Sequence, residues 1–321
     1  MTAVLGEKVS VCVLTYNHEA VIQSTLETVL DQTIDGYEVI VSDDCSTDGT
    51  YARILEMAER DPRIRPVRTP RNMGMPGNAN FAVSRSERPY IALLHHDDLY
   101  RRDLLEKWLA PIEADPEITF VFNPYGMHGA DRIHTAGLPA GRLEGRWLLD
   151  AHLFAGWGCP VRGTAMIRRS EWVAAGGMRE EFGLLSDVDL WMRLAMRGAV
   201  GYVDEPLIAI RQERPEDYPD AYKSDALWAF WKRQRLLYEI HAANQRAYHD
   251  LGTVGGRLAW WRFRLRLSAE TAKWLAYGVV RRKPVFISTS ADGATPYDLA
   301  PVRLIRAILR AVVGTVDTRR A

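Results

Sequence analysis

Within the first hundred residues of this 321-residue chain, four polar groups each follow a short apolar run: Tyr16-Asn17, Asp43-Asp44, Arg71-Asn72 and His95-His96-Asp97-Asp98. Adjacent carboxylates such as Asp97 and Asp98 suit a hard cation, Mg²⁺ or Mn²⁺. Such ions take oxygen ligands and are often shared between one or two carboxylates and substrate phosphates. A cation held in that way neutralises charge on a departing diphosphate. A second reading makes the pair a solvated turn, or the N-cap of a helix starting at Leu99. Asp43 heads the run DDCSTDGT, where a strand-end carboxylate can accept from a base N–H or a ribose hydroxyl. Ser46, Thr47 or Asp48 can cap the next helix, and the two uses draw on different residues.

The elements that must position these groups follow from periodicity. Residues 9–15 (VSVCVLT) read as a buried strand, and 19–31 as a helix with Val21, Ile22, Leu26, Val29 and Leu30 near helical spacing. Strands at 37–42, 64–68, 90–94 and 118–123 alternate with helices at 48–60, 78–86 and 103–114, Asp48 serving as an N-cap. This alternation predicts an α/β fold with a mainly parallel, doubly wound sheet and flanking helices. Ligands of such sheets sit beyond the carboxyl ends of the strands, so all four polar groups should share one rim. Residues 126–158 read as a loop with a short helix. Strands follow at 162–168, 200–203 and 207–211, with helices at 170–175 and 186–197. Beyond about residue 220 the pattern is helical. The expected division is a catalytic domain at 1–218 and a helical, basic segment at 219–321.

The formal net charge is zero, which gives no reason to expect nucleic acid as a partner. The balance is uneven, however. Residues 253–321 hold 13 Lys+Arg against 4 Asp+Glu, pointing that segment towards an anionic surface. Arg303, Arg306 and Arg310 fall on one helical face, and Ile305, Ile308, Leu309 and Val312 on another, as in helices that rest on anionic lipid. Upstream, Trp260, Trp261 and Trp274 mix with Arg262, Arg264, Arg266, Arg281, Arg282 and Lys283. Packing on the catalytic domain, or a homo-oligomer contact, is the competing use of that surface. Cys12, Cys45 and Cys159 lack metal-ligand spacing and form no disulfide framework. With no signal-peptide pattern and no long apolar run, the expectation is a cytoplasmic protein working at the inner face of the membrane.

LTYNHE, VSDDCSTDGT, RNMGMPGNAN and LLHHDDLY, in that order and spacing, resemble the family 2 glycosyltransferases, and the likeness continues through GTAMIRRSEWVAAGGMREEFGLLSDVDLWMRLAMRG. It covers roughly Val9 to Arg211. The resemblance implies a GT-A fold, a nucleotide-diphosphate sugar donor (UDP foremost, dTDP next), a Mn²⁺ or Mg²⁺ cofactor and inversion at the anomeric carbon. By the same resemblance Thr15, Tyr16 and Asn17 line the nucleotide pocket, and Asp43, with Asp44 beside it, contacts the base. Arg71 and Asn72 lie near base and ribose, with Asn80 close by. Asp97 and Asp98 match the metal motif, with Asp97 shared between nucleotide and metal and Asp98 the preferred metal ligand. Asp187 matches the catalytic base.

Two positions depart from the family pattern. His95 stands where an acidic residue is common, so His95 or His96 is open as a ligand or as a hydrogen-bonding residue. Ser186 replaces the usual Glu before the base, which removes one source of like-charge repulsion. Residues i and i+2 of a helix do not share a face, so Asp189 should not join Asp187. Arg211 follows the last strand and either faces the diphosphate or pairs with Glu205 or Glu213. The expected reaction is transfer to a saccharide or lipid-linked saccharide hydroxyl in surface polysaccharide, O-antigen or glycolipid assembly. A nucleotide-sugar-binding protein without turnover is the alternative. A nucleotidyltransferase would need a Gly-rich basic loop that LTYNHEA lacks, and the absence of Q-x-x-R-W argues against a polymer synthase.

Overall fold

The computed structural model describes residues 5–211, 227–280 and 297–313. The chain divides into two compact units, Met1–Tyr218 and Pro219–Ala321.

In the first unit an eight-stranded sheet carries the order β3 (Ile64–Arg68), β2 (Glu38–Asp43), β1 (Val9–Thr15), β4 (Tyr90–His95), β10 (Ala165–Arg168), β6 (Ile118–Phe122), β11 (Ala199–Tyr202), β9 (Gly141–Leu143). Strand β1 (Val9–Thr15) is buried at all seven positions, as a continuous apolar run must be when helices cover both faces of a parallel sheet. It pairs in parallel with β2 (Glu38–Asp43) and β4 (Tyr90–His95), and β2 pairs in parallel with β3 (Ile64–Arg68). The links are α1 (Glu19–Leu30), α2 (Thr50–Arg60) and α3 (Gly74–Ser84). Ile22, Leu26 and Val29 of α1 join Val11, Val13, Val39 and Val41 in one core. Helix α4 (Leu104–Ala114) adds Leu104, Leu105, Trp108, Leu109 and Ile112 to that core. Trp108 stays satisfied at zero exposure by donating to Asn123 Oδ1 at 2.9 Å.

Several expected boundaries move for identifiable reasons. Helix α2 begins at Thr50, because Asp48 accepts from the Thr50 and Glu19 amides and holds two loops together. Helix α3 begins four residues before the expected start, where Asn72 accepts from the Gly74 amide. Asp98 does not cap a helix: it opens the strand β5 (Asp98–Tyr100).

The largest departure is the stretch expected as a loop with a short helix. It contains β7 (Tyr125–Met127), β8 (Ala130–His134), β9 (Gly141–Leu143) and the short α5 (Gly145–Leu148). β7 and β8 form a hairpin whose turn is His128-Gly129, with Gly129 at φ 76°. The sequence ADRIH of β8 is mostly exposed, so no buried alternation marks it as a strand. A second sheet, β5-β12-β7-β8, is completed by β12 (Ile208–Ile210).

In the large sheet, β10 (Ala165–Arg168) runs antiparallel between β4 and β6 (Ile118–Phe122), and β11 (Ala199–Tyr202) is parallel to β6. Helices α6 (Arg169–Ala175) and α7 (Ser186–Ala195) lie between β10 and β11 in sequence.

The second unit consists of the helices Leu227–Tyr248, Val254–Val280 and Ala300–Val313. The middle helix holds the segment before the last one: Arg264 donates to Tyr297 O at 2.8 Å, and the Leu299 amide donates to Ser268 Oγ at 2.8 Å. Val254, Leu258, Trp261 and Leu265 of that helix are exposed at helical spacing. Arg281, Arg282 and Lys283 lie outside the described residues. Among the described residues no helix is long and apolar enough to cross a membrane.

Candidate active site

The parallel register assembles one rim. Thr15 lies beside Asp43, Asp43 beside Arg68, and Leu14 beside His95. The loops leaving β1, β2, β3 and β4 therefore all start at the same edge.

The loops after β1 and β2 brace each other. Asn17, at φ 54°, accepts from the Thr47 amide at 2.8 Å and donates its own amide to Ser46 Oγ at 2.9 Å. Asp43 is fully buried. Its Oδ2 accepts from the Ser46 amide at 3.1 Å and forms an ion pair with Arg68, whose Nε is also at 3.1 Å. Burial raises its pKa, against the pull of Ser46 and Arg68. Its Oδ1 is buried with no hydrogen-bond partner among the described residues, as is the Thr15 hydroxyl. Asp44 has a different task. Its Oδ1 accepts from Thr69 Oγ1 at 2.9 Å and the Met73 amide at 2.8 Å, tying down the loop that exposes Arg71 and Asn72. Asn80 is likewise committed to the protein: its amide donates to Met178 O and accepts from Met178 N, at 2.8 and 2.9 Å. It thus positions the chain leading to α7. Tyr16 is half-buried on the rim.

The end of β4 is built differently. Tyr100 of β5 clamps the turn, its hydroxyl donating to His95 O at 2.7 Å and accepting from His95 N at 2.8 Å. His96 Nδ1 lies 2.7 Å from Leu14 O. A carbonyl only accepts, so Nδ1 carries the proton and the Nε2 lone pair faces Asp97, whose Oδ1 is 3.8 Å away. The His18 ring packs against His96 with centroids 3.4 Å apart. Burial pushes His18 and His95 down to about 4 and also lowers His96. All three are therefore neutral imidazoles at physiological pH, able to offer lone pairs. Asp98 is fully buried, with His95 Nδ1 at 3.8 Å and Arg162 Nη2 at 3.9 Å. His95, Asp97 and Asp98 can each turn a ligand atom to within 4.8 Å of the others. One neutral nitrogen and two carboxylates form a donor set that fits a divalent cation.

Asp187 arrives from the far side. It sits in the first turn of α7, where burial pushes its pKa up to about 6. The amides of Val188, Asp187 and Gly163 and the charge of Arg162 oppose that rise. Gly163 is the hinge between the two groups. A Cβ there would lie 2.5 Å from His95 Nε2 and 3.3 Å from Asp187 Oδ2. The imidazole and the carboxylate thus close on one point of backbone, and only glycine leaves them room. Asp189, two residues on, is buried against Arg193 at 2.7 Å and Arg179 at 3.4 Å, facing away from this point. Ser186 donates to Arg179 O and Gly183 O, fixing the start of α7.

Arg211 follows Ile210, the register partner of Asp98, and its Nη2 donates to Ser24 Oγ at 2.7 Å. It does not pair with Glu205, which Arg101 and Lys107 hold at 2.5 and 2.6 Å; Glu213 lies outside the described residues. His18, Tyr100 and Gly163 lie inside the motifs that carry the family resemblance but are assigned no role by it, and Arg162 lies just outside them. A signal for the last two lies in topology. β10 is antiparallel, with Ala165 opposite Leu93, so the residues before this strand reach the rim where β4 ends.

The sequence profile of Glycosyl transferase family 2 matches residues 10–170, half of the chain, and the chain belongs to that family. It is 29% identical over 249 residues to EpsE of Bacillus subtilis (strain 168), assigned as a glycosyltransferase, covering 74% of this chain and 80% of that protein. TuaG of the same organism, assigned to teichuronic acid biosynthesis, is 36% identical over 123 residues, 38% of this chain and 48% of TuaG. The fold resembles S. aureus TarS 1-349 in complex with UDP-GlcNAc, with a TM-score of 0.61 at 18% identity, covering 95% of this chain and 87% of that one.

Proposed function

We propose that this protein is an inverting glycosyltransferase using a nucleotide-diphosphate sugar, UDP-linked foremost and dTDP-linked next. Its acceptor is the hydroxyl of a saccharide or lipid-linked saccharide in surface polysaccharide, O-antigen or glycolipid assembly. The observation that carries this reading is that Asp187 and His95, itself grouped with Asp97 and Asp98, meet at Gly163. A base beside a phosphate-binding centre is what direct displacement at an anomeric carbon requires.

Asp187 takes the proton of the acceptor hydroxyl. The freed oxygen pair bonds to the anomeric carbon from the face opposite the diphosphate, and the bond to the terminal phosphate oxygen breaks with its electrons. Asp43, through its open Oδ1, takes a donor hydrogen from base or ribose, while Thr15, Tyr16, Asn17, Arg71 and Asn72 line the nucleotide. Mn²⁺ or Mg²⁺, held by His95, Asp97 and Asp98, would supply positive charge to the departing diphosphate. TuaG and the TarS complex support the surface-polymer setting and the UDP donor. The exposed stripe Val254, Leu258, Trp261 and Leu265, with exposed Arg257 and Arg262, supports contact with an anionic membrane face.

The test is donor hydrolysis or transfer with Mn²⁺ as a function of pH. A base raised to about 6 must be ionised to act, so the rate should climb as pH rises and level off above about pH 6. Asp187→Asn should lower the plateau by roughly 10²–10⁴-fold and remove the acid limb, with nucleotide affinity kept. Full activity in Asp187→Asn would remove the base assignment. A wild-type chain that binds nucleotide-sugar without ever turning it over would favour the binding-protein alternative.

A further inference from the structure

Arg162 stands between the acidic cluster and the base with its donors uncommitted. Two other arginines of the rim are engaged with the protein: Arg68 donates to Ser46 O at 2.6 Å and pairs with Asp43, and Arg211 donates to Ser24 Oγ, while Arg71 is exposed. The Arg162 guanidinium has no hydrogen-bond acceptor among the described residues. Its closest ion-pair oxygen, Asp98 Oδ1, is at 3.9 Å, and its Nε is buried without a partner. Leaving a buried donor unmet is costly, so the placement is one that a ligand completes.

The side chain is nonetheless held in place. Its guanidinium lies over the Tyr125 ring at 5.3 Å, and Tyr125 in turn stacks on His134 across the β7–β8 hairpin, centroids 4.8 Å apart at 16°. The platform orients a planar fork of N–H groups, and such a fork matches phosphate oxygens in a way that lysine cannot. Arg162 faces Asp98 on one side, and the next residue, Gly163, meets Asp187 on the other. That is the span across which a sugar–phosphate bond would break.

We propose that Arg162 is a further binding residue for the donor: it grips the terminal phosphate of the nucleoside diphosphate and stabilises the negative charge that grows on the leaving oxygen. This rests on the transferase reading above. A preorganised donor aimed at developing charge acts without reorganising during the reaction, and Tyr125 supplies that preorganisation. The competing use is a counter-ion that only balances Asp98.

Calorimetry on the full chain with Mn²⁺ separates the two, titrating UDP and UMP into wild type, Arg162→Ala and Arg162→Lys, with dTDP and dTMP as a second pair. Arg162→Ala should weaken diphosphate binding about tenfold, the value of one charge-assisted contact, and leave monophosphate binding within twofold of wild type. Arg162→Lys should recover part of the loss, since charge is kept and the fork is not. If Arg162→Ala changes diphosphate and monophosphate by the same factor, or changes neither, the assignment is overturned and Arg162 is a counter-ion for Asp98. If wild type binds neither diphosphate, the transferase reading fails with it, a result distinct from binding that ignores Arg162.

Discussion

Two loops of this protein carry the same signature, a pair of adjacent aspartates at the carboxyl end of a parallel strand, and they are built for different work. After β2, Asp43 and Asp44 are enclosed by Arg68, the Ser46 amide, the Thr69 hydroxyl and the Met73 amide at 2.8–3.1 Å. The protein itself answers most of that charge, and the pair shapes a pocket. After β4, the groups near Asp97 and Asp98 include imidazoles that burial keeps neutral, and an arginine at 3.9 Å. There His95, Asp97 and Asp98 bring ligand atoms within 4.8 Å of one another, a donor set that fits a cation. A DD dipeptide therefore says little by itself. The donors that the rest of the fold brings to it decide whether it is a strut or a ligand site.

The contrast can be broken at several points. The largest effect should come from Gly163→Ala, which touches neither aspartate pair. Its methyl group would meet the His95 ring and Asp187 Oδ2, and a displacement near 1 Å at reacting groups costs roughly 10²-fold in rate. Steady-state kinetics should show that loss in kcat with nucleotide affinity nearly intact. Wild-type kcat in this variant would mean that the convergence on Gly163 is not functional.

A smaller effect, on stability, should mark the other pair. Asp44→Ala removes the acceptor of the part-buried Met73 amide and leaves the Thr69 hydroxyl only Asp43 O at 3.4 Å, which costs about 1–3 kcal/mol. Denaturant melts should read that loss, while the gain in UDP affinity from Mn²⁺ stays as in wild type. A stable Asp44→Ala protein with altered metal dependence would erase the distinction between the loops.

Much of this was legible in the sequence. The apolar runs of β1, β2 and β4 and the helical spacing of α1 and α4 predict the parallel half of the sheet, because burial on both faces leaves a dense apolar record. The rim then follows from the rule that places ligands at strand ends. Periodicity also separates Asp187 from Asp189, and Arg193 and Arg179 show where the second carboxylate goes. Three things were hidden. The exposed strand β8 leaves no apolar pattern. The antiparallel insertion of β10 brings residues before a strand to the rim, so Arg162 lies just outside the family likeness and Gly163, its first residue, is given no role by it. Finally, Asn80 and Asp44 match their motifs in type, yet their hydrogen bonds run to Met178, Thr69 and Met73, which spacing cannot reveal.

The most direct test of the difference between the loops is calorimetric titration of UDP, with and without Mn²⁺, into wild type, Asp98→Asn and Asp43→Asn. The predicted result is that Mn²⁺ strengthens UDP binding in wild type and in Asp43→Asn, and that Asp98→Asn loses this gain. Asp43→Asn should weaken UDP equally in both conditions. An undiminished Mn²⁺ gain in Asp98→Asn would contradict the assignment of the β4 loop as the cation site.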